Sequence, residues 1–154
     1  MNKKILDACC SARQFWWDKE NPSVEFVDIR AGEVELSDRK ITISPTTIAD
    51  FRDLPFPDEE FFLVVFDPPH VQCGENSNMA RRFGHLDENW RDLISRGFDE
   101  CWRVLKKNGT LVFKWNETTH TSSAVIDCIG KTPLFGHKCA KRAKTHWMIF
   151  FKDE

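Results

Sequence analysis

Residues 61–70 read FFLVVFDPPH, six apolar residues followed by an acid, two prolines and a histidine. A continuous apolar run of this length, bounded by turn residues, is typical of a strand buried on both faces of a parallel sheet. Proline has no backbone N–H to offer a neighbouring strand, so the run ends where the prolines begin. We therefore predict a central parallel strand over Phe61–Phe66, with Asp67 at its carboxyl end.

The segments on either side of this strand show strand-like and helix-like patterns in turn. The predicted elements before residue 61 are a strand at Lys4–Cys10, a helix at Ala12–Lys19, a strand at Val24–Ile29, a hairpin of Glu33–Leu36 with Lys40–Ile43, and a short segment at Thr47–Phe51. Those after residue 70 are a loop at Val71–Leu86, a helix that begins at Asp87 and ends at Lys106–Gly109, a strand at Thr110–Trp115, a short helix at Ser122–Ile129, and two strands between Leu134 and Phe151.

This order predicts an α/β fold with a mostly parallel twisted sheet, an antiparallel last strand and helices on both faces. The antiparallel last strand separates the pattern from a plain dinucleotide-binding fold. A chain of 154 residues supports one hydrophobic core, so we expect residues 1–154 to form a single domain.

The composition excludes several classes of protein. A net charge of −2 and a pI near 6.2 exclude a uniformly basic nucleic-acid binder. The six cysteines form no CxxC pair, which favours reduced thiols over a disulfide framework or a zinc site, and we assign no metal. The N-terminus has no apolar signal-peptide core, and no segment has the roughly 18 apolar residues of a membrane helix. We expect a cytoplasmic protein without a membrane partner.

Acidic residues mark the ends of several predicted strands. Asp7, Asp28 and Asp67 fall at three of them, and Asp50 ends the short segment before residue 52. In an open parallel sheet, ligands bind beyond the carboxyl ends of the strands. Any one of these acids is better explained as a cap or turn residue, but four together favour a ligand site. Asp28 follows Asp7 by 21 residues, near the spacing of about 20 at which an acid meets ribose hydroxyls.

Three segments resemble the successive cofactor motifs of class I S-adenosylmethionine-dependent methyltransferases, which have a Rossmann-like fold. They are ILDACC at 5–10, VDI at 27–29 and ADFRDLPF at 49–56. A fourth segment, LKKNGTL at 105–111, resembles the turn into the fifth strand of that family. The resemblance spans about residues 4–151 and implies S-adenosylmethionine as cofactor. It implies a cofactor site made of Asp7, Ala8, Cys9, Cys10, Ser11, Asp28, Ile29, Asp50, Phe51 and Asp67. Asp7 and its turn would hold the amino-acid end, Asp28 the ribose, and Asp50 with the Phe51 backbone the adenine.

The first motif departs from the family. It is normally rich in glycine after the first strand, whereas residues 8–12 of this chain are Ala-Cys-Cys-Ser-Ala. Glycine permits a positive φ and a close approach of the backbone to a ligand. Small side chains keep the close approach but not the easy positive φ, so we expect either weaker cofactor binding or a turn of another shape.

Asp67, Pro68, Pro69 and His70 resemble the Asp-Pro-Pro-aromatic signature of methyltransferases that act on exocyclic amines of nucleobases or on similar planar amides. The Asp67 carboxylate and the Pro68 carbonyl would each accept an amine N–H and aim the nitrogen lone pair at the methyl group. His70, where the signature has a larger aromatic residue, would stack on a flipped base. The alternative is a strand-ending turn with a solvated histidine.

Two basic segments favour a nucleic-acid substrate. One lies in residues 137–146 and includes Lys138, Lys141 and Arg142; the other is Arg81-Arg82. At the rim of the site they would contact phosphates, although a charge run alone is more often a solvated hairpin tip. The rings of 15–17, Phe-Trp-Trp, are expected to pack on the sheet rather than on a base.

The sequence therefore predicts a methyltransferase for adenine or cytosine amines in DNA or RNA, similar to compact stand-alone enzymes of bacteria and phages. A partner subunit or a homodimer would supply target recognition. Two alternatives stay open: an enzyme that methylates a small molecule or a protein, and a non-catalytic module that binds the cofactor and regulates a partner.

Overall fold

The structure, a computed structural model, describes residues 2–138 and 143–154, with the backbone alone at Lys138. Its strands are β1 (Ile5–Asp7), β2 (Val24–Asp28), β3 (Gly32–Glu35), β4 (Lys40–Ile43), β5 (Thr47–Ile48), β6 (Phe61–Phe66), β7 (Leu105–Asn116), β8 (Phe135–Lys138) and β9 (Thr145–Lys152). Its helices are α1 (Asn78–Phe83), α2 (Trp90–Val104) and α3 (Ser122–Ile129). No helix in the described ranges is long and apolar enough to cross a membrane.

Seven strands form one sheet in the order β5-β2-β1-β6-β7-β9-β8, and β3 pairs with β4 in a separate hairpin. The pairs from β5 to β7 are parallel, whereas β9 runs antiparallel to both β7 and β8. The mostly parallel sheet with an antiparallel last strand is therefore confirmed. The strand order reverses between β1 and β6, so the carboxyl ends of these two strands form the natural ligand crevice.

The core lies on one face of the sheet, between the strands and helices α2 and α3. Alternate residues of β6, β7 and β9 point to that face because side chains alternate along a strand. They pack with the apolar stripe of α2, and members of this cluster include Val64, Phe66, Leu111, Phe113, Trp115, Ile94, Phe98 and Cys101. Helix α2 ends at Val104, where Lys152 Nζ donates to the carbonyls of Trp102 and Leu105 at 2.9 and 2.6 Å.

The predicted end of this helix is wrong by a few residues. Strand β7 starts at Leu105, directly after the helix, and includes residues 106–109, for which the sequence predicts a turn. The register between β6 and β7 shifts in this part, and Asn108 has a φ of 60°. Residues 106–109 therefore form an irregularity within β7, and the strand has already begun before them, at Leu105.

Gly97 of α2 touches the aromatic core, which gives a stability prediction. A Cβ at this position would lie 2.6 Å from Phe51 Cδ2 and 2.8 Å from Phe66 Cζ. Alanine is favoured over glycine in a helix by about 1 kcal/mol, yet overpacking costs about 1–3 kcal/mol. We expect Gly97→Ala to lower the free energy of unfolding in urea, and the exposed Asp99→Ala on the same helix to change it by less than about 0.5 kcal/mol. An increase for Gly97→Ala would contradict the close packing.

The sequence predicts a helix at Ala12–Lys19, and the structure shows that this is wrong, because the segment consists of turns. Arg13 has a φ of 53°, which interrupts a right-handed helix at its start. The buried guanidinium of Arg13 donates to the carbonyls of Lys19 and Ser44, and Trp16 Nε1 donates to Asp7 Oδ2 at 2.7 Å. These long-range bonds outweigh the helical pattern, so turns rather than a helix cover the second face of β1 and β2.

Two further segments refine the predictions. The hairpin is present, as β3 and β4, and the loop predicted at Val71–Leu86 contains the short helix α1. Ser77 caps α1, since its hydroxyl accepts from the Ala80 N–H at 3.1 Å. Asn78 and Arg81 of α1 bind the β3–β4 hairpin, at Ser37 and at the Glu35 carbonyl respectively. Helix α1 is thereby fixed near the carboxyl end of β2.

Candidate functional site

Three of the four strand-end acids converge. Asp7, Asp28 and Asp67 end the adjacent strands β1, β2 and β6, and the first two are 0% and 2% exposed. The Cys9 thiol lies among them: burial first, and then the charges of Asp28, Asp67 and Asp7, raise its pKa well above the ordinary value. The structure thus brings these carboxylates to one place, as the parallel topology predicts.

A cavity of about 30 Å³ lies at this place. Its walls come from the turn after β1, the end of β6, the end of α1 and strand β7. The lining residues are Cys9, Cys10, Ser11, Gln14, Phe15, Asp67, Phe83 and Lys114. A volume of this size holds one water molecule, whereas pockets for larger ligands measure about 300 Å³ or more. A nucleoside-sized ligand therefore requires the surrounding segments to move apart.

Asp67 lines this cavity, and one of its carboxylate oxygens accepts no hydrogen bond from the described residues. Lys114 Nζ donates to its Oδ2 at 3.1 Å, and His70 Nε2 lies 2.8 Å from its Oδ1. The second contact lacks hydrogen-bond alignment, so Oδ1 is a buried atom without a hydrogen-bond partner among the described residues. Buried acceptors of this kind are rare unless a ligand or a water occupies the place in front of them. The His70 ring is in turn held edge-on against Trp115, with centroids 5.2 Å apart.

The Asp28 carboxylate is satisfied by donors of its own chain. The Ser11 N–H donates to Oδ2 at 2.9 Å, and the Arg30 N–H and Nε donate to Oδ1 at 2.9 and 3.1 Å. Arg30 also reaches helix α1, where it donates to the carbonyls of Arg81 and Arg82. The Ser11 hydroxyl donates to the Arg82 carbonyl as well, at 2.6 Å. Helix α1 is thus fastened across the end of β2.

Asp7 shapes the first turn instead of facing the cavity. Its Oδ2 accepts from Trp16 Nε1 at 2.7 Å and its Oδ1 from the Cys9 N–H at 3.2 Å. Burial raises the pKa of this carboxyl from 3.8 to about 7, against the opposing effect of these two hydrogen bonds. Because both oxygens are engaged inside the protein, the structure does not place Asp7 where its carboxylate contacts a ligand directly.

The turn after β1 reaches a positive φ without glycine. Ser11 has a φ of 45°, a conformation that costs a residue with a Cβ about 1–2 kcal/mol. The Ser11 N–H and hydroxyl bonds to Asp28 and Arg82 offset this cost. Ala8, by contrast, is 1% exposed and belongs to the core. The cavity-facing part of the predicted motif is therefore Cys9–Ser11.

Asp50 and Phe51 are not among the residues that line the cavity. Arg52 donates to both oxygens of Asp50, and this hydrogen bonding lowers the pKa of that carboxyl. The Phe51 ring packs edge-on against Phe66, with centroids 5.2 Å apart. Ile29, the neighbour of Asp28, is 60% exposed and offers an apolar surface at the end of β2.

The basic residues fall into two groups. Arg81 is exposed, and Arg82 Nε is a buried donor without a partner among the described residues; both lie on α1, beside the cavity-lining Phe83. Lys138 belongs to β8 by its backbone, while its side chain, Lys141 and Arg142 lie outside the described part of the chain.

Comparison with solved structures identifies the architecture. A protein of Pyrococcus horikoshii, PH0226, superposes with a TM-score of 0.65 at 16% identity, over 100% of this chain and 83% of that one. A TehB-like SAM-dependent methyltransferase of Corynebacterium glutamicum gives 0.58 at 14% identity, over 99% and 81%. The fold is that of class I methyltransferases. A methyltransferase of Haloferax volcanii, solved in complex with the Trm112 methyltransferase activator, gives 0.58 at 12% identity over 96% and 81%.

No family model and no curated protein matches the sequence. The methyltransferase fold is therefore shown by structural similarity alone. In this fold the crevice between β1 and β6 lies at the reversal of the strand order, which is where Cys9, Asp28 and Asp67 meet.

Several residues at this crevice were not assigned from the sequence. Gln14, Phe15 and Phe83 line the cavity, and Arg30 binds Asp28. Lys114 lines it too, and here the sequence carries a signal, because a lysine within the apolar strand sequence TLVFKW is unusual. Of the three rings at 15–17, Phe15 and Trp16 pack against Trp147 and Phe26 as predicted. Trp17 is fully exposed.

Proposed function

We propose that this chain transfers a methyl group from S-adenosylmethionine to the exocyclic amine of adenine or cytosine in DNA or RNA. One observation carries the proposal. Asp67 ends the central strand beside two buried prolines and lines the crevice, and its Oδ1 accepts no hydrogen bond from the described residues. An amine N–H that displaces the His70 ring from its 2.8 Å contact with Oδ1 would supply the missing donor. The free thiols of the described cysteines agree with a cytoplasmic location.

The chain's own residues position the acceptor amine. Asp67 Oδ1 and the Pro68 carbonyl would each accept one N–H, which draws the nitrogen out of conjugation with its ring and directs its lone pair into the crevice. The bound cofactor would supply the electrophilic methyl group. The prolines at 68 and 69 are both buried and stiffen the turn, so the two acceptors keep a fixed separation. His70, edge-on against Trp115, would form one wall of the base site.

The residues at the end of β2 fit the proposed cofactor. The donors on Asp28 can be exchanged for ribose hydroxyls, because a carboxylate accepts several hydrogen bonds. Ile29 offers its exposed apolar side chain beside it, and Cys9–Ser11 bring a backbone with small side chains. Since the present cavity is about 30 Å³, binding requires Arg30 and α1 to move away from Asp28.

Removal of Asp28 should weaken cofactor binding. We expect Asp28→Ala to raise the calorimetric Kd for S-adenosylmethionine about 10-fold or more, because hydrogen bonds to a charged group are lost. Asp38→Ala removes the same charge from an exposed hairpin turn and is the control, expected to leave Kd within about twofold. Asp28→Asn tests the same point in a variant of similar shape. An unchanged Kd in both Asp28 variants would refute the assignment.

The nucleic-acid part of the proposal rests on Arg81 and Arg82 beside the cavity. Phosphate contacts make affinity fall steeply with salt, whereas a small neutral substrate shows little dependence. We also propose that a partner subunit or a second copy supplies target recognition. In the described residues, every strand belongs to the main sheet or to the β3–β4 hairpin, and the three helices pack against these strands. The complex of the Haloferax volcanii methyltransferase with its activator is a structural precedent for such an arrangement.

The decisive test is methyl transfer to defined DNA and RNA pools, followed by mass spectrometry of the digested nucleosides. Methylated adenine or cytosine in either pool supports the proposal. Transfer only to small molecules or proteins would refute the nucleic-acid substrate and indicate a methyltransferase of another class. Cofactor binding without transfer to any substrate would favour a regulatory module.

A further inference from the structure

Lys114 is a partly buried cation that contacts the proposed acceptor, Asp67. It lies on β7 beside the end of β6, and its side chain is 26% exposed. Its ammonium lies 5.4 Å from the centroid of Phe15 and 5.5 Å from that of Trp147. The same ammonium donates to Asp67 Oδ2 at 3.1 Å. The cation therefore lies beside a pair of contacting aromatic rings and is directed at a single carboxylate oxygen.

This geometry divides the roles of the two Asp67 oxygens. Oδ2 is taken by Lys114, while Oδ1 has no hydrogen-bond partner among the described residues. A carboxylate with one fixed oxygen cannot rotate freely about its last bond, so the other oxygen keeps one direction. Cation–π contacts with Phe15 and Trp147 restrain the ammonium in turn. The two rings thus restrain the Lys114 ammonium, and the ammonium restrains Asp67.

We propose that Lys114 is a positioning residue, which fixes Asp67 by one oxygen so that the other receives the substrate amine. This inference rests on the proposed function, because it assigns a role within the same site. A simple stabilising role explains the arrangement less well. The Lys114 side chain is 26% exposed, and an ion pair in contact with water adds little to stability. Fixing the direction of Asp67 would serve the reaction instead, since a misplaced acceptor lowers turnover more than it lowers binding.

Lys114→Ala, Lys114→Arg and the control Lys107→Ala test the inference. Lys107 is an exposed lysine of the same strand. We expect Lys114→Ala to lower kcat about 10- to 100-fold, the effect of one lost hydrogen bond to a charged group, with KM and the cofactor Kd within about threefold. Lys114→Arg should restore at least part of kcat, and added ethylammonium should raise kcat of Lys114→Ala. Lys107→Ala should behave as the unchanged protein.

The outcomes that overturn the inference differ from those that overturn the proposed function. A wild-type kcat in Lys114→Ala overturns it, and so does an equal loss in the alanine and arginine variants without rescue by ethylammonium. If the unchanged protein methylates nothing, the proposed function fails, and the NMR signals of the His70 ring still report whether Lys114 fixes Asp67. His70 Nε2 lies 2.8 Å from Asp67 Oδ1, so release of Asp67 should shift these signals in Lys114→Ala. Unshifted signals overturn the inference.

Discussion

Asp67→Ala is expected to lower methyl transfer at least about 10³-fold while the S-adenosylmethionine Kd stays within about threefold. The variant removes the carboxylate at the end of β6 whose Oδ1 accepts no hydrogen bond from the described residues. The amine would then keep its lone pair in the ring, and the Pro68 carbonyl alone cannot orient it. Kinetics on the best substrate from the nucleic-acid pools, with calorimetry of cofactor binding, measure both quantities.

Two further variants make this result specific. Asp67→Asn keeps the size of the side chain but exchanges one acceptor oxygen for a donor, and it should retain less than about a tenth of the activity. Asp53→Ala removes an exposed acid from the turn before β6 and should leave turnover unchanged. Full activity in Asp67→Ala would show that the strand-end acid has no part in the chemistry.

Asp7 is expected to make the folded protein less stable as the pH rises from about 4 to about 7. Its pKa is raised from 3.8 to about 7 by burial, so the folded state holds this proton over a range in which the unfolded chain has lost it. The contribution is fully present below pH 4 and is lost as the pH passes 7. A shift of this size corresponds to about 4 kcal/mol in total, of which about 3 kcal/mol falls between pH 5 and 8.

Urea unfolding of the unchanged protein and of Asp7→Asn, from pH 5 to pH 8, measures this contribution. The histidines and the other acids titrate in both proteins, so their effects cancel in the difference. We expect the free energy of unfolding of the unchanged protein to fall relative to Asp7→Asn across this range. Asp38→Asn, at an exposed position, should run parallel to the unchanged protein. Parallel curves for Asp7→Asn would mean that Asp7 is ionised in the folded state at pH 5.

The sheet could be predicted from the sequence because its signals are local. The apolar run at 61–66, the alternation at 24–28 and the turn chemistry of the hairpin each depend on neighbouring residues alone. The convergence of Asp7, Asp28 and Asp67 follows from topology, since parallel strands end at one edge of the sheet. For this reason three of the four acids lie together, while Asp50, which follows the two-residue strand β5, turns toward Arg52.

The rest depended on contacts between residues far apart in the chain. The helix predicted at 12–19 fails because Arg13 and Trp16 form bonds with Ser44 and Asp7, partners that periodicity does not reveal. The pairing of Arg30 with α1 spans about fifty residues, with Arg81 as its partner. The role of Lys114 likewise needs the register of β7 against β6. Such long-range side-chain bonds have no signature in a sequence window.

Arg30 connects two parts of the chain that are far apart in the sequence, the end of β2 and helix α1. The same guanidinium binds Asp28 and the carbonyls at the end of α1, so a ligand hydroxyl that displaces it from Asp28 would also disturb its two bonds to α1. Ligand binding at the carboxyl end of β2 and the ordering of residues 77–84 are then coupled equilibria. The free energy by which Arg30 holds α1 lowers the affinity of a ligand that displaces Arg30. The variant Arg30→Lys would reduce this loss of affinity.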